Sequence, residues 1–252
     1  MVRPPGKGDQ PSMTKRLTKK EYFLLLSFFG LLIFSPAQGQ TPSVTLSWST
    51  DTYVPLDYPG RALPTRESQV EVVANVEPMA NSQNLIYTWF INNEIQENKS
   101  GRGRQVLEFK IGQSINQRYE IKVNISDEKE SFNLSSPYLT IIPREPEIII
   151  EAKSQLIESV AAIRKLAVLS GQNIEFIARP YFFNTDDAKK LDYLWEFGGE
   201  KAALVSGDSP NIFNLGINKL DTSMIRNLTV WAENKNYLLE RASQTVEINI
   251  IP

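Results

Sequence analysis

The sequence predicts an all-β protein made of two copies of one domain, and three repeated features support this prediction. An alternation of large apolar residues around a Trp occurs twice, over residues 85–91 and 191–197. Ser-Gly follows each Trp by eleven residues, and a new apolar alternation follows it by seventeen. Each copy also ends in Ile-Ile-Pro. Self-similarity at a period of roughly a hundred residues indicates tandem domains.

Each copy contains several short segments in which apolar residues alternate with polar ones. This pattern is typical of strands that bury one face against a core. About seven such strands in ~100 residues, with a Trp on a middle strand, are typical of an immunoglobulin-like β-sandwich. We therefore predict tandem sandwiches over residues 41–143 and 144–252, joined by a short, stiff linker that contains Pro143 and Pro146.

The repeated Trp strand supplies the predicted core of each sandwich. Tyr87 and Trp89 share one face of their strand in the first copy, and Tyr193 and Trp195 do so in the second. Because the chain contains no Cys, it lacks the disulfide that joins the sheets of antibody domains, and these residues must fill the core. Trp48 has the parity of the apolar residues before it and is also predicted to be buried.

The two copies differ most between their first and second strands. Pro55, Pro59 and Pro64 in the first copy predict an extended edge segment or a crossover, because proline has no N–H to donate to a sheet. Residues 156–166 in the second copy have the pattern of a short amphipathic helix when taken alone. The repeat relation favours a strand or a loop there, and both alternatives remain open.

Residues 1–39 have the layout of a secretory signal peptide. A basic stretch precedes a thirteen-residue apolar run over residues 22–34, and Ala37 and Gly39 supply small residues for cleavage. The apolar run is shorter than the roughly 20 residues that span a bilayer. We therefore predict cleavage after Gly39 and an exported protein that is secreted, periplasmic or held at the cell surface. An uncleaved N-terminal anchor is the alternative, and it is the only membrane contact that we expect.

The composition argues against catalysis. The chain contains neither Cys nor His, which excludes thiolate nucleophiles, His general bases and the usual zinc and copper sites. We therefore predict no enzyme, no cofactor and no metal site. Residues 40–252 carry 21 basic and 27 acidic side chains, and their net charge of −6 gives no electrostatic reason to bind nucleic acid. The lack of Cys in an exported chain indicates a bacterial protein.

The Trp strands and the turns after them resemble a known family. Residues 192–199 (Asp-Tyr-Leu-Trp-Glu-Phe-Gly-Gly) are similar to the Y-x-W-D-F-G-D-G signature of PKD domains. Residues 87–93 (Tyr-Thr-Trp-Phe-Ile-Asn-Asn) resemble a variant with an Asn-rich turn. The second copy departs at Gly199, where the family has Asp, and the first departs at Phe90 and Ile91. The resemblance implies an immunoglobulin-like sandwich of bacterial surface proteins, used without enzymatic activity as a spacer or as a protein- or glycan-contact module.

Three surface features are candidate partner contacts. Tyr53 and Tyr58 lie in the proline-rich segment, and rigid aromatic loops bind partners at low entropic cost; the alternative is that both cover a sheet edge. Arg102 and Arg104 lie in a loop that suits a small anion or a glycan, or that is simply a turn. Trp231 is out of step with the apolar residues of its strand, and it is either a surface residue or a core residue whose register is misjudged.

Two acidic clusters, Asp127-Glu128-x-Glu130 and Asp186-Asp187, offer oxygen ligands for Ca²⁺. Calcium takes roughly six to eight oxygens from several spaced positions, and neither cluster has the spacing of a known loop, so no calcium site is predicted. The last apolar alternation, over residues 245–251, could pair with the sheet edge of a neighbouring molecule.

Together these features predict a non-catalytic exported protein that acts as a spacer, an adhesion module or an envelope-interaction module. Its partner would be a protein or a glycan at the cell envelope. Two alternatives belong to other classes, namely a carbohydrate- or peptide-binding protein and a structural subunit of a larger surface assembly. Exposed aromatic residues clustered on one face would favour the first alternative, and an open edge strand would favour the second.

Overall fold

The apolar alternation of the sequence becomes β-strands in the computed structural model of the chain. The structure describes residues 42–77, 82–129, 133–156, 158–162, 164–202 and 209–252. The predicted signal peptide and the second Ser-Gly turn, Ser206-Gly207, lie outside these residues. Within them, the prediction of an all-β fold is confirmed: beside the strands there are three 3-10 helices of three residues each, Ser82–Asn84, Glu97–Lys99 and Ala188–Lys190. No described helix is long and apolar enough to cross a membrane.

The first copy folds into nine strands over the described residues. In chain order they are β1 (Ser43–Thr50), β2 (Gln69–Glu77), β3 (Ile86–Ile91), β4 (Glu94–Ile95), β5 (Gly101–Arg102), β6 (Val106–Lys110), β7 (Tyr119–Ser126), β8 (Asn133–Ser135) and β9 (Leu139–Ile141). One antiparallel sheet has the order β1-β2-β6. The other has the order β4-β3-β7-β8, with β5 also paired to β3 and β9 also paired to β7. The inward residues of both sheets form one apolar core cluster between Val44 and Ile141.

The second copy also folds into nine described strands. They are β10 (Glu147–Lys153), β11 (Val160–Ala162), β12 (Lys165–Leu169), β13 (Asn173–Tyr181), β14 (Asp192–Phe197), β15 (Glu200–Lys201), β16 (Ile212–Gly216), β17 (Met224–Glu233) and β18 (Arg241–Ile251). Its sheets have the orders β11-β10-β13-β16 and β12-β18-β17-β14-β15. A separate apolar core cluster lies between them, formed by residues from Ile148 to Ile250. Both copies are immunoglobulin-like sandwiches.

The strand pattern and the turn residues explain the local structure. In β7, every second residue from Tyr119 to Ile125 is buried and the residues between them are partly exposed. A slip of one residue would turn this whole set to solvent, so the alternation fixes the register. The hairpin after β3 turns at Asn92 and Asn93, which have φ values of 52° and 67°. Asn and Gly tolerate this left-handed backbone best, and the second copy has Gly-Gly at the same place.

The helix that residues 156–166 suggest when taken alone is wrong. The described part of this segment contains β11 and the start of β12. β12 runs parallel to β18, and its Leu166 and Val168 are buried while the residues between them are exposed. A strand forms here because it can bury one face by joining an existing sheet, and this outweighs the local helical periodicity.

The last strand is not an open edge. β17 pairs with β18 antiparallel from Met224 to Glu233, and β12 pairs with its other side over residues 247–251. The hypothesis that residues 245–251 complete the sheet of a neighbouring molecule is therefore contradicted where β12 covers them, because the N–H and C=O groups are already paired there.

Candidate functional site at the junction of the two sandwiches

The four predicted core residues lie in equivalent buried positions of the two copies. Trp89 and Trp195 are fully buried, and each indole N–H donates to the carbonyl oxygen fifteen residues further along the chain, at 2.7 and 3.1 Å. The hydroxyls of Tyr87 and Tyr193 each donate to the carbonyl oxygen five residues earlier, at 3.0 Å in both copies. Burial raises the pKa of both Tyr hydroxyls. Trp48 is only half-buried, with its ring 4.7 Å from the Arg61 guanidinium.

The proline-rich segment, residues 51–66, lies against the second sandwich. The Tyr53 N–H donates to the Phe183 carbonyl, and the N–H of the residue before Phe183 donates to the Tyr53 carbonyl, both at 2.7 Å. The Tyr58 ring packs edge-on against Tyr181, with 5.3 Å between the ring centroids. The structure thus places both candidate contact residues, Tyr53 and Tyr58, between the two sandwiches. We call this region the junction. It comprises residues 51–66 of the first sandwich, Glu145 of the linker, and Glu151, residues 179–184 and Glu240 of the second sandwich.

A charged cluster reinforces the junction on one side. Arg179 of β13 forms ion pairs with Asp57 of the proline-rich segment and with Glu151 of β10, the latter at 2.7 Å. The hydrogen bond from Arg179 lowers the pKa of the Asp57 carboxyl. Two hydrogen bonds lower the pKa of Glu151: the larger effect comes from the Ser159 hydroxyl and the smaller one from Arg179. Hydrogen bonds to these carboxylates, chiefly Glu151, in turn raise the pKa of Arg179. All three groups are therefore charged at neutral pH.

Arg66 connects several segments at the junction. Its Nε donates to the Gln113 carbonyl at 3.0 Å, and both terminal nitrogens face the carboxylate of Glu145 in the linker. Its own carbonyl accepts a hydrogen bond of 2.6 Å from the Asn184 side chain of the second sandwich. A guanidinium presents its donors in a fixed planar fork, so one side chain holds these groups in one arrangement.

Glu240 is a buried carboxyl on the second sandwich's side of the junction. It lies between β17 and β18 and is 2% exposed. Its oxygens accept the Asn184 N–H at 2.9 Å and the Asn234 side-chain amide at 2.6 Å. That amide also donates to the Asn184 carbonyl at 2.9 Å. Because the Asn184 side chain bonds to Arg66, Glu240 supports a contact that crosses the junction. Burial raises the pKa of Glu240 to about 6, although the two Asn donors and Arg66 oppose this shift.

The raised pKa of Glu240 predicts a stability that decreases as the pH rises. Between its ordinary value of 4.5 and about 6, the folded chain binds this proton more tightly than the unfolded chain does. The contribution of Glu240 is therefore complete below pH 4.5 and is lost as the pH rises through 6. We expect the urea midpoint of the native chain to fall between pH 4.5 and 7, and we expect this fall to disappear in the Glu240→Gln variant.

The control for this prediction is Asp186→Asn. The Asp186 carboxyl is exposed, its Lys190 partner lowers its pKa, and it therefore titrates below this window. The chain has no His, so no side chain with an ordinary pKa near 6.5 competes with Glu240. A native slope that persists in Glu240→Gln, or that disappears in Asp186→Asn, would contradict the assignment.

Arg102 and Arg104 are tied to the sandwich that carries them. Arg102, in β5, forms an ion pair with Glu128 and donates to the Asn84 carbonyl at 3.4 Å. The Arg104 carbonyl accepts the buried Trp89 indole N–H. Pairing with a carboxylate opposes the binding of an anion at Arg102, and the contact at Arg104 gives this loop a structural role.

The other candidate residues lie apart from the junction network. Trp231 is half-buried on the outer face of β17, between buried neighbours on either side along the strand. The described residues of the acidic clusters make local contacts: Glu128 binds Arg102, Asp186 binds Lys190, and Asp187 accepts the Lys189 N–H at 2.9 Å. Within the described ranges, no group of three or more acidic side chains is placed to hold a metal ion.

Sequence reasoning missed the residues that organise the junction, namely Arg66, Asn184 and Glu240. Nothing in their local sequence marks them, because their partners lie as far as 118 positions away along the chain. One weak signal was present: Asn184, Asn234 and Glu240 all lie between segments of apolar alternation, where a buried polar group needs a partner from elsewhere in the fold.

No model of a known protein family matches the chain, and no curated protein matches its sequence. The resemblance to PKD domains therefore remains one of a strand and a turn.

Three solved structures illustrate what the fold is similar to. The three N-terminal domains of the bacteriophage RB49 Highly Immunogenic Outer Capsid protein (Hoc) are 17% identical, with a TM-score of 0.43, and the match covers 83% of this chain and 59% of that one. Immunoglobulin domains 1–4 of Sidekick-1 are 13% identical, with a TM-score of 0.25 and coverage of 82% and 66%. SGBP-B of the Bacteroides ovatus mixed-linkage glucan utilization locus, in complex with a heptasaccharide, is 10% identical, with a TM-score of 0.25 and coverage of 84% and 71%. At these TM-scores the similarity says nothing about function, and the fold assignment rests on the sheets described above.

Proposed function

We propose that this chain is a non-catalytic exported protein whose joined sandwiches act at a cell envelope as a spacer or an adhesive arm. The junction is the observation that supports this best. A backbone bridge at Tyr53, the ion pair of Arg179 with Asp57, and the hydrogen bond from the Asn184 side chain to the Arg66 carbonyl all cross between the sandwiches. Without such contacts, neighbouring domains move relative to one another by default. A chain that must hold a binding surface at a set distance and orientation needs this kind of junction.

The chemistry of the junction supports a structural role over a catalytic one. Glu240 has a pKa raised to about 6, a value that would suit a general acid. Its oxygens, however, accept hydrogen bonds from Asn184 and Asn234, which lie in two different loops. Glu240 therefore connects these loops. With no His or Cys in the chain, it also lacks the usual nucleophile and base partners.

Export is tested by the N-terminus of the protein recovered from its own cells. We expect mass spectrometry to find a mature chain that begins at or near Gln40, because Ala37 and Gly39 supply the small residues that a signal peptidase requires. An intact N-terminus in the membrane fraction would contradict cleavage and would favour the anchored alternative. An intact N-terminus in the cytoplasm would contradict the envelope function itself.

Surface display is tested by protease treatment of intact cells. We expect the chain to be digested from outside under conditions that leave a cytoplasmic marker protein whole. A chain that resists protease until the cells are lysed would refute the proposed function if it fractionates with the cytoplasm.

The assembly alternative predicts an oligomer whose size increases with concentration in light scattering. The pairing of β12 with residues 247–251 of β18 counts against the terminal strand as the surface for such an assembly.

A further inference from the structure

The outer face of the second sandwich carries an aromatic and an aliphatic side chain next to each other. Trp231 of β17 lies directly opposite Leu194 of β14, and Ser243 of β18 lies on its other side. Leu194 is 41% exposed and Trp231 is half-buried. Both alternate with core residues along their strands, so both point away from the core. An indole ring in the surface of an open sheet can be covered by the flat apolar face of a ligand.

The first sandwich shows that the fold does not require this pair. Its corresponding positions, counted from the buried Tyr-x-Trp strand, are Thr88, Asn124 and Ser135. All three are polar, and the Ser135 hydroxyl donates to the Asn124 side-chain oxygen at 2.9 Å. The two copies share the buried strand and its indole and hydroxyl hydrogen bonds. The exposed Leu194–Trp231 pair is therefore a difference that stability of the sandwich does not explain.

The indole of Trp231 adds a hydrogen-bond donor to this outer face. The buried Trp89 and Trp195 donate theirs to backbone carbonyl oxygens. An oxygen of a ligand beside the Trp231 ring can accept its N–H.

Hydroxyl and carboxylate groups surround the ring. The hydroxyls of Thr229 and Thr245, on the same face, share a hydrogen bond of 3.0 Å. Glu196 lies opposite Thr229, and it is therefore diagonal to Trp231, a relation that places side chains about 7–8 Å apart. Sugar hydroxyls both donate and accept hydrogen bonds, so they match a mixture of hydroxyl, carboxylate and indole N–H groups.

The charges on this side of the sheet are balanced. Asp192 pairs with Lys235 at 2.7 Å, and Glu247 pairs with Lys165 at 3.0 Å. In the strand register, Glu196 lies opposite Lys201 and Glu233 lies opposite Arg241. A balanced surface has no net field that would attract a polyanion or an anionic membrane. The ligand that fits this surface is therefore neutral.

We propose that this surface binds a neutral glycan built of pyranose rings. We call it the Trp231 face, and it consists of Leu194, Glu196, Thr229, Trp231, Ser243 and Thr245. The C–H face of a pyranose stacks on the indole, and the sugar hydroxyls bond to the polar groups around it. The proposal rests on the envelope function, for which it names a glycan as the partner. A protein partner fits less well, since a stable interface buries about 800 Å² on each side and the apolar part here is one Trp and one Leu.

Calorimetric titration of the purified full chain tests the proposal. The probes are cellohexaose, chitohexaose and maltohexaose, with alginate as an anionic comparison. We expect the native chain to bind at least one neutral probe and to discriminate against alginate. The double variant Leu194→Thr with Trp231→Asn gives the second sandwich the residues of the first, which fold at those positions. We expect it to bind at least tenfold more weakly, or about 1.4 kcal/mol.

Two further variants separate the ligand effect from a folding effect. Asn124→Ala changes the matching position of the first sandwich and is expected to leave glycan affinity unchanged. Trp231→Phe keeps an aromatic ring and is expected to lose less affinity than the double variant. Each variant is compared with the native chain by circular dichroism, and a loss of binding counts only where the folded spectrum is retained.

The proposal is overturned if the native chain binds none of the neutral probes, or if the double variant binds as well as the native chain. It is also overturned if the native chain self-associates and the double variant does not, because the face would then be a protein interface. These outcomes are distinct from failure of the envelope function, which the protease experiment on intact cells reports. If the chain is displayed at the cell surface but binds no glycan, the glycan proposal is refuted and the envelope function is not.

Discussion

Replacing Trp89 with alanine is expected to unfold the first sandwich under conditions in which the native chain is folded. Trp89 is fully buried, and its indole N–H bonds to the Arg104 carbonyl. Loss of a buried Trp side chain costs about 3–5 kcal/mol, because it removes apolar contacts and leaves a cavity. The variant also leaves the Arg104 carbonyl without its indole donor. A domain is stabilised by only about 5–15 kcal/mol in total. Urea denaturation followed by far-UV circular dichroism measures the change.

Trp231→Ala is the matched control for this prediction. It removes the same side chain from a half-buried position on an outer face, where no core cavity forms. We expect a loss of less than about 1 kcal/mol. Trp195→Ala is expected to affect the second sandwich as Trp89→Ala affects the first, since Trp195 has the same burial and the same kind of indole hydrogen bond. Equal midpoints for Trp89→Ala and the native chain would contradict the role assigned to the core Trp.

The second large effect is expected from Arg66→Ala, which removes the guanidinium that joins Gln113 of the first sandwich to Glu145 of the linker and keeps the backbone carbonyl that binds Asn184. Hydrogen bonds to charged groups contribute about 1.5–3 kcal/mol, and Arg66 reaches both Gln113 and Glu145 with one side chain. We expect a loss in this range and a change in cooperativity. The native chain is expected to unfold in one calorimetric transition, because contacts at the junction couple the two sandwiches. The variant is expected to show two transitions, one for each sandwich.

Lys110→Ala provides the comparison within the same sandwich. Lys110 forms a 3.3 Å ion pair with Glu67, the two side chains are 51% and 35% exposed, and the pair does not cross the junction. Exposed pairs of this kind contribute about 0.2–1 kcal/mol, so we expect a small effect and an unchanged number of transitions. Arg66→Lys keeps the charge without the fork and is expected to resemble Arg66→Ala more than the native chain. A single transition that persists in Arg66→Ala would show that Arg66 does not couple the sandwiches.

The core and the strands could be predicted from the sequence because their signals are local. An alternation with a period of two allows a strand to bury one face, and the repeat of the Trp strand shows that the same solution occurs twice. Tyr87, Trp89, Tyr193 and Trp195 lie on the buried face because their parity leaves no other position for them. The interpretation of residues 156–166 as a helix was wrong, because local periodicity carries no information about a neighbouring sheet that a strand can join.

The all-β class, the repeat and the identity of the core Trp strand follow from the amino-acid sequence, because each depends on patterns within short segments. The position of the proline-rich segment depends on the packed fold, since the contacts of Asp57 with Arg179 and of Arg66 with Asn184 join residues 122 and 118 positions apart. The packed fold also decides that Glu240 is buried and that Trp231 faces outward beside Leu194. Burial and cross-strand register are properties of packed sheets, and no pattern within one segment contains them.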